Sequence, residues 1–201
     1  MANILIRGPL LTQSGYGVHA RQIFAWADSR GHNIYTEVTS WGNTPWYVNE
    51  KLCDGLIGKI MRCTTPPTIQ PDISIQIQLP NEWNSKLCRK NVGVTAGVET
   101  NICSSAWVQA CQSMDTVVVP STFTANTFIN CGFETPKVIS ETYYSACAEE
   151  PIVLPKIESV KTDKNFLMFG QITGNDSAVD RKNTLDTIKW YLEAFVDTDI
   201  G

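Results

Sequence analysis

The first forty residues constrain this chain most, because they read as strand, loop, helix and strand in immediate succession. Asn3-Ile4-Leu5-Ile6-Arg7 is a short apolar run ending at Gly8-Pro9, the mark of a buried strand entering a loop. Ala20, Ile23, Phe24 and Ala27 then recur at i, i+3, i+4 and i+7 and make one apolar helical face. Gly31 is placed to end that helix, and Asn33 to Val38 alternates toward a second strand. A helical crossover between two strands implies that they run parallel, so the expected fold class is α/β with a parallel sheet and helices on both faces.

The pattern continues downstream. Asp72 to Gln78 alternates Ile73, Ile75 and Ile77 with polar residues, and Asn91 to Thr95 and Thr116 to Val119 follow as further strands. Ser104 to Ser113 reads as a helix carrying Trp107. Ser121-Thr122 starts another, with Phe123, Thr127, Phe128 and Cys131 facing inward and Gly132 as its stop. Lys137-Val138-Ile139 is a short sixth strand. Tyr47 to Ile60 has room for a helix between the breakers Pro45 and Pro66-Pro67. Glu141 to Lys164 reads as a linker. Asn165 to Ile172 then looks like a fresh buried strand, and an amphipathic helix after Arg181-Lys182-Asn183 turns Leu185, Ile188, Leu192 and Phe195 inward. The expected organisation is a first domain over 1–160 and the opening strand and helix of a second over 161–201. No internal repeat or low-complexity tract is visible.

Net charge is −4, which leaves no electrostatic footprint for nucleic acid or an anionic membrane surface. No apolar run approaches the ~18 residues of a membrane span. The start of the chain lacks the apolar core of a signal peptide. The seven cysteines are odd in number and none pair at CxxC spacing; they read as reduced, mostly buried thiols of a cytoplasmic protein. His19 and His32 lie near no cysteine pair, so no metal site is expected.

Three segments carry residues suited to chemistry. Ser14-Gly15-Tyr16-Gly17 follows the first strand and opens the first helix. Ligands in open α/β sheets bind beyond the carboxyl ends of the strands, and a helix N-terminus offers amides and partial positive charge to a phosphate. The same residues suit a tight turn with an N-cap and no ligand. A third glycine is missing from the dinucleotide pattern, and Glu37 is the one acidic candidate for a ribose contact, so a nicotinamide cofactor is a remote reading. The second segment is Thr95-Ala96-Gly97-Val98-Glu99-Thr100, where Glu99 can accept hydrogen bonds from hydroxyls, act as a base, or simply face solvent. The third is Arg181-Lys182, two cations at a helix start that suit a diphosphate or are an ordinary exposed basic pair. His19 is either packed or a substrate contact, His32 structural, and Trp107 more a core residue than a sugar platform.

Taken in order, these pieces resemble the GT-B glycosyltransferases of the large group-1 class, family 4. The resemblance is carried by Ser14-Gly15-Tyr16-Gly17 and its helix, Arg30-Gly31-His32, Val92 to Glu99-Thr100, and Trp107. It continues through Asp115-Thr116-Val117-Val118-Val119-Pro120-Ser121, Phe128 to Gly132, and Phe169-Gly170 followed by Arg181-Lys182-Asn183. It implies two Rossmann-like domains, an acceptor-side one and a donor-binding one of which this chain holds only the start. It implies a nucleotide-diphosphate sugar as donor, a glycan or other hydroxyl as acceptor, and no cofactor or metal. Ser14 to Gly17 would meet the donor diphosphate, Arg181 and Lys182 would neutralise it across a shared crevice, and Glu99 stands where many relatives have a histidine. The paired glutamates that hold the donor sugar would lie further on, so no turnover is expected from these 201 residues alone. The exposed helix around Leu192 and Phe195 is a candidate homodimer contact. The alternative is a non-catalytic module that binds a sugar, a nucleotide or a protein.

Overall fold

The strands of the first unit are short, some apolar on alternate residues and some continuously apolar, and all end in loops at the same edge of the sheet. The computed structural model describes residues 1–140, 166–168, 170, 176, 179–180 and 182–196. The chain divides into two units, Met1–Glu150 and Pro151–Gly201. The expected boundary near residue 160 falls outside the described residues. In the first unit, β1 (Asn3–Gly8), β2 (Asn33–Val38), β3 (Ile73–Ile77), β4 (Lys90–Val94), β5 (Thr116–Val119) and β6 (Lys137–Val138) form one sheet in the order β2-β1-β3-β4-β5-β6. Every pairing is parallel. The helices are α1 (Gly15–Ser29), α2 (Leu56–Arg62), α3 (Ser105–Ser113) and α4 (Thr122–Asn130), with a 3₁₀ turn at Pro80–Glu82. The fold is the Rossmann-like α/β class read from the sequence.

The alternation of the strands sets two cores. Ile4, Ile6 and Ile77 pack with Ala20, Phe24 and Ala27 of α1 and with Leu56, Ile57 and Ile60 of α2. Val117 and Val119 pack with Cys111 of α3 and with Ala125 and Phe128 of α4. Burying a Phe or Ile side chain contributes about 1.5–3 kcal/mol, so Phe24 and Phe128, both essentially inaccessible, anchor the two layers. Caps fix the helix starts: Ser104 accepts from the Trp107 amide and Ser121 from the Thr124 amide.

Three local expectations need correction. No helix runs from Tyr47; α2 begins only at Leu56, because Cys53, Asp54 and Gly55 all have positive φ (52°, 53° and 81°) and block an α-helix through them. Phe123 is 56% exposed, since the buried face of α4 runs through Thr124, Thr127 and Phe128 and leaves Phe123 on its flank. Of the described cysteines, only Cys88 and Cys111 are buried and the rest are half-buried, so the expectation of mostly buried thiols is not met. Burial pushes the Cys111 thiol up to about 12.

In the second unit, α5 (Thr184–Ala194) is the described helix. Most of the expected strand from Asn165 lies outside the described residues; within it, Phe166, Leu167 and Met168 are exposed and belong to no strand. Leu185 of α5 is half-buried while Ile188 and Leu192 are exposed, so the helix does not turn the expected face inward. Its packing is instead an aromatic cluster of Phe166, Tyr191 and Phe195, with ring centroids 4.9–5.4 Å apart. No described helix is long and apolar enough to cross a membrane.

Candidate functional site

The strand order defines where a ligand would go. The chain leaves β1 toward β2 on one side and proceeds from β3 through β6 on the other. The crevice beyond the carboxyl ends of β1 and β3 is therefore the topological switch point, where open α/β sheets bind ligands. The two strands are close there: a Cβ on Gly8 would sit 2.8 Å from the Ile77 carbonyl oxygen. The walls are the loop after β1, which runs into α1, and the loops after β2, β3 and β4.

Ser14 is the N-cap of α1. Its Oγ accepts from the Gly17 amide at 3.0 Å and shares a 2.7 Å hydrogen bond with Thr12 Oγ1. Gly15 is exposed, and a Cβ there would meet nothing within 4 Å. Gly17 is the opposite. It is buried, and a Cβ would come within 2.9 Å of the Pro9 carbonyl and of Thr12 Oγ1, and closer still to the Thr12 carbonyl. Glycine at 17 is thus demanded by packing against the loop, whereas glycine at 15 leaves an open approach to the start of the helix.

Tyr16 is the hub of the site. Its hydroxyl lies 3.0 Å from Thr95 Oγ1 and accepts from the Ala96 amide at 2.9 Å. It therefore reaches from the start of α1 past the end of β3 to the end of β4. Two of the three segments singled out in the sequence are joined by this one side chain. Burial raises the phenol's pKa above its ordinary value, against the opposing effect of its hydrogen bonds to Thr95 and Ala96; the carboxylates of Glu82 and Glu99 push it up further. The ring stacks on Trp41 at 4.1 Å and 19°.

Beyond β4 the chain turns sharply. Gly97 has φ +72°, and a Cβ there would lie 2.6 Å from Thr124 Cγ2, so α4 and the backbone conformation both require glycine. Thr124 Oγ1 donates to the Ala96 carbonyl and Thr127 Oγ1 to that of Thr100. The loop is thereby pinned to α4, with Glu99 held on its exposed side. A carboxylate so placed can accept hydrogen bonds from hydroxyl groups.

Residues that sequence reading passed over shape the wall. Arg21, one turn and a half into α1, is 4% exposed, and its Nη1 donates to the carbonyls of Leu10 and Thr12 at 2.9 Å each. Its guanidinium also lies over the Tyr47 ring. The loop after β2 is tied to the loop after β1: the Gln13 amide donates to the Pro45 carbonyl, that of Tyr47 to the Leu11 carbonyl, and Thr12 pairs with Trp46. The one sequence signal for this wall was a cluster of aromatics, Trp41, Trp46 and Tyr47, in a stretch with no regular periodicity.

The third segment stands apart in kind. Arg181 lies outside the described residues. Lys182 is exposed, and Asn183, in the left-handed region at φ 52°, precedes α5. The amides at this helix start are already engaged. Those of Thr184 and Leu185 donate to Asp180 Oδ2, and that of Lys182 to Oδ1. Burial works to raise the Asp180 pKa, but these three donors outweigh it and hold the carboxyl below its usual range. The anion at the start of α5 is the protein's own.

His19 is buried and, with Gln22 and Trp26, lines a cavity of about 480 Å³ between α1 and the sheet floor of Ile75, Val92 and Val118. Val94 at the end of β4 and Ile139 and Ser140 beyond β6 also line it. His32 Nδ1 accepts from the Ala2 amide at 3.4 Å, a structural contact. Trp107 packs against the second core and donates through Nε1 to Asn81. No family model, curated protein or solved structure matches the chain.

Proposed function

We propose that the chain carries the acceptor-side wall of a nucleotide-sugar-dependent glycosyltransferase site, transferring a sugar from a nucleotide-diphosphate donor to an acceptor hydroxyl. In that reaction the bond from the sugar's anomeric carbon to the diphosphate breaks, a bond to the acceptor oxygen forms, and the hydroxyl proton is released. The transition state is oxocarbenium-like and its leaving group anionic, so fixed amides and cations near the phosphates are what accelerate it. The amides of Gly15 and Tyr16 at the head of α1, with its dipole behind them, suit that anion. Glu99 would orient or deprotonate the acceptor hydroxyl.

The observation that carries this reading is Tyr16, which locks the phosphate-suited start of α1 to the carboxylate-bearing loop after β4 at the switch point of the sheet. Calorimetric titration with a panel of UDP- and GDP-sugars tests it. The expected result is binding that Gly15→Val weakens at least ten-fold while the melting temperature holds. Absence of binding by every nucleotide sugar, or quenching-detected binding of NADH in their place, would contradict it.

A second reading, a non-catalytic sugar- or nucleotide-binding module, is favoured by one feature. Ser14 Oγ and the Gly17 amide satisfy each other, and Asp180 occupies the amides of α5, so local structure accounts for much of what was assigned to a ligand. Saccharide and nucleotide binding with no transfer by the longest natural form of the chain would select it.

A further inference from the structure

Two cysteines meet where the loop after β4 runs along α4. We propose that Cys103 and Cys131 are a dithiol pair that closes to a disulfide by exchange with a low-molecular-weight disulfide such as oxidised glutathione, and that closure clamps this loop to the end of α4. The pair stands apart from the sugar-transfer reading and does not depend on it.

Three observations carry it. First, the two residues are in contact. The Cys103 amide donates to Cys131 Sγ at 3.2 Å. The N–Cα bond adds about 1.5 Å, so Cys103 Cα lies within about 5 Å of that sulfur, inside the reach of a disulfide. Second, neighbouring contacts hold both backbones in register. Thr124, Thr127 and Cys131 follow at i, i+3 and i+7 along α4 and its cap, and they meet Ala96, Thr100 and Cys103 in the same order. The first two rungs are hydroxyl-to-carbonyl hydrogen bonds. The third uses sulfur, a weak acceptor, and is the rung that a covalent bond would strengthen. Cys103 directly precedes Ser104, the N-cap of α3, and Cys131 is the C-cap of α4, where the Gly132 and Phe133 amides donate to the carbonyls of Ile129 and Phe128. Third, both thiols are half-buried and open to a small disulfide, whereas Cys111 in the same core is inaccessible. Burial, and then the neighbouring Cys131 thiol, push the Cys103 thiol up to about 11, so it is protonated near neutral pH and the first attack falls to Cys131. The Cys131 thiolate attacks one sulfur of oxidised glutathione, the S–S bond breaks and one glutathione thiolate leaves. Cys103 then gives up its proton, and its sulfur attacks Cys131 Sγ and expels the second glutathione. Two protein thiols are oxidised, one disulfide is reduced to two thiols, and the two protons pass to the glutathiones.

Equilibration of the full 201-residue chain with graded ratios of reduced and oxidised glutathione, followed by acid quenching, alkylation and mass spectrometry, tests this. Cleavage after Glu99, Trp107 and Asp115 by Glu-C protease and chymotrypsin puts Cys103, Cys111 and Cys131 on separate peptides. The expected product is a Cys103–Cys131 crosslinked peptide, formed reversibly in the folded chain and before any other bridge. The oxidised protein should melt about 5–10 °C above the reduced one, and its loop amides from Gly97 to Cys103 should exchange more slowly. Cys111→Ala should leave the crosslink in place. Cys103→Ser should stop at the glutathione adduct of Cys131, and Cys131→Ser should close no bridge to Cys103. A chain left reduced at every ratio, a lasting glutathione adduct at Cys131 of the wild type, earlier closure of another pair, a crosslink formed only in urea, or an oxidised chain that melts no higher would each overturn the proposal.

Discussion

Replacing Gly17 and Gly15 by alanine separates a glycine needed for packing from one that leaves room for a ligand. At Gly17 the new methyl group would meet three oxygens, two of them main-chain carbonyls of the loop that Arg21 and Pro45 hold in place. Overpacking of this kind costs about 1–3 kcal/mol, and the rigid neighbours argue for about 3. Alanine regains about 1 kcal/mol through its higher helix propensity, which leaves a net loss of about 2 kcal/mol. For a unit of this size that lowers the melting temperature by about 4–8 °C. Gly15→Ala meets nothing, so it should raise stability by about 0.5–1 kcal/mol. Thermal unfolding followed by circular dichroism, with urea titration as a check, reads both. A Gly17→Ala protein that melts with the wild type, or a Gly15→Ala protein that loses as much as Gly17→Ala, would refute the division.

Other consequences follow from named contacts. Arg21→Ala should cost about 2–3 kcal/mol in urea unfolding, because it strips a charged donor from two loop carbonyls, and Arg21→Lys should recover only part of it. Tyr16→Phe should cost about 1 kcal/mol and speed hydrogen exchange at the Ala96 amide while leaving the ring stack on Trp41 in place; unchanged exchange would remove Tyr16 as the link between segments. Asp180 has a folded pKa below its unfolded one. Its contribution to α5 is therefore present above the usual carboxylate range of about 4 and is lost as pH falls through the folded value. The Thr184 and Leu185 amide shifts should report that loss on acidification, and Asp180→Asn should abolish the transition.

The sheet was legible because its strands are either short apolar runs, as at Ile4-Leu5-Ile6, or obey a two-residue period. Ile73, Ile75 and Ile77 alternate with polar residues, and Ser104 and Ser121 announce their helices by side-chain caps that depend on nothing distant. The loop before α2 was not legible, since Cys53 seldom adopts the left-handed conformation and Asp54, which tolerates it, fits a helix equally well by sequence. The site was half legible. Ser14 to Gly17 and Thr95 to Thr100 stood out one at a time, but their union through the Tyr16 hydroxyl spans about eighty residues of chain and leaves no local trace. Gly15 and Gly17 look alike in sequence and differ only in what surrounds them. The buried Arg21 reads as an ordinary helical cation until the loop carbonyls it meets are seen.

The most direct test of the account is amide chemical-shift mapping of the ¹⁵N-labelled chain during titration with UDP-glucose and GDP-mannose. The account predicts shifts gathered at Gly15–Gly17 and Ala96–Thr100, the two segments that Tyr16 joins, and their loss in Gly15→Val. Shifts confined to the cavity beside α1, to the opposite edge of the sheet around Met114 and Phe133, or to no residue at all would contradict it.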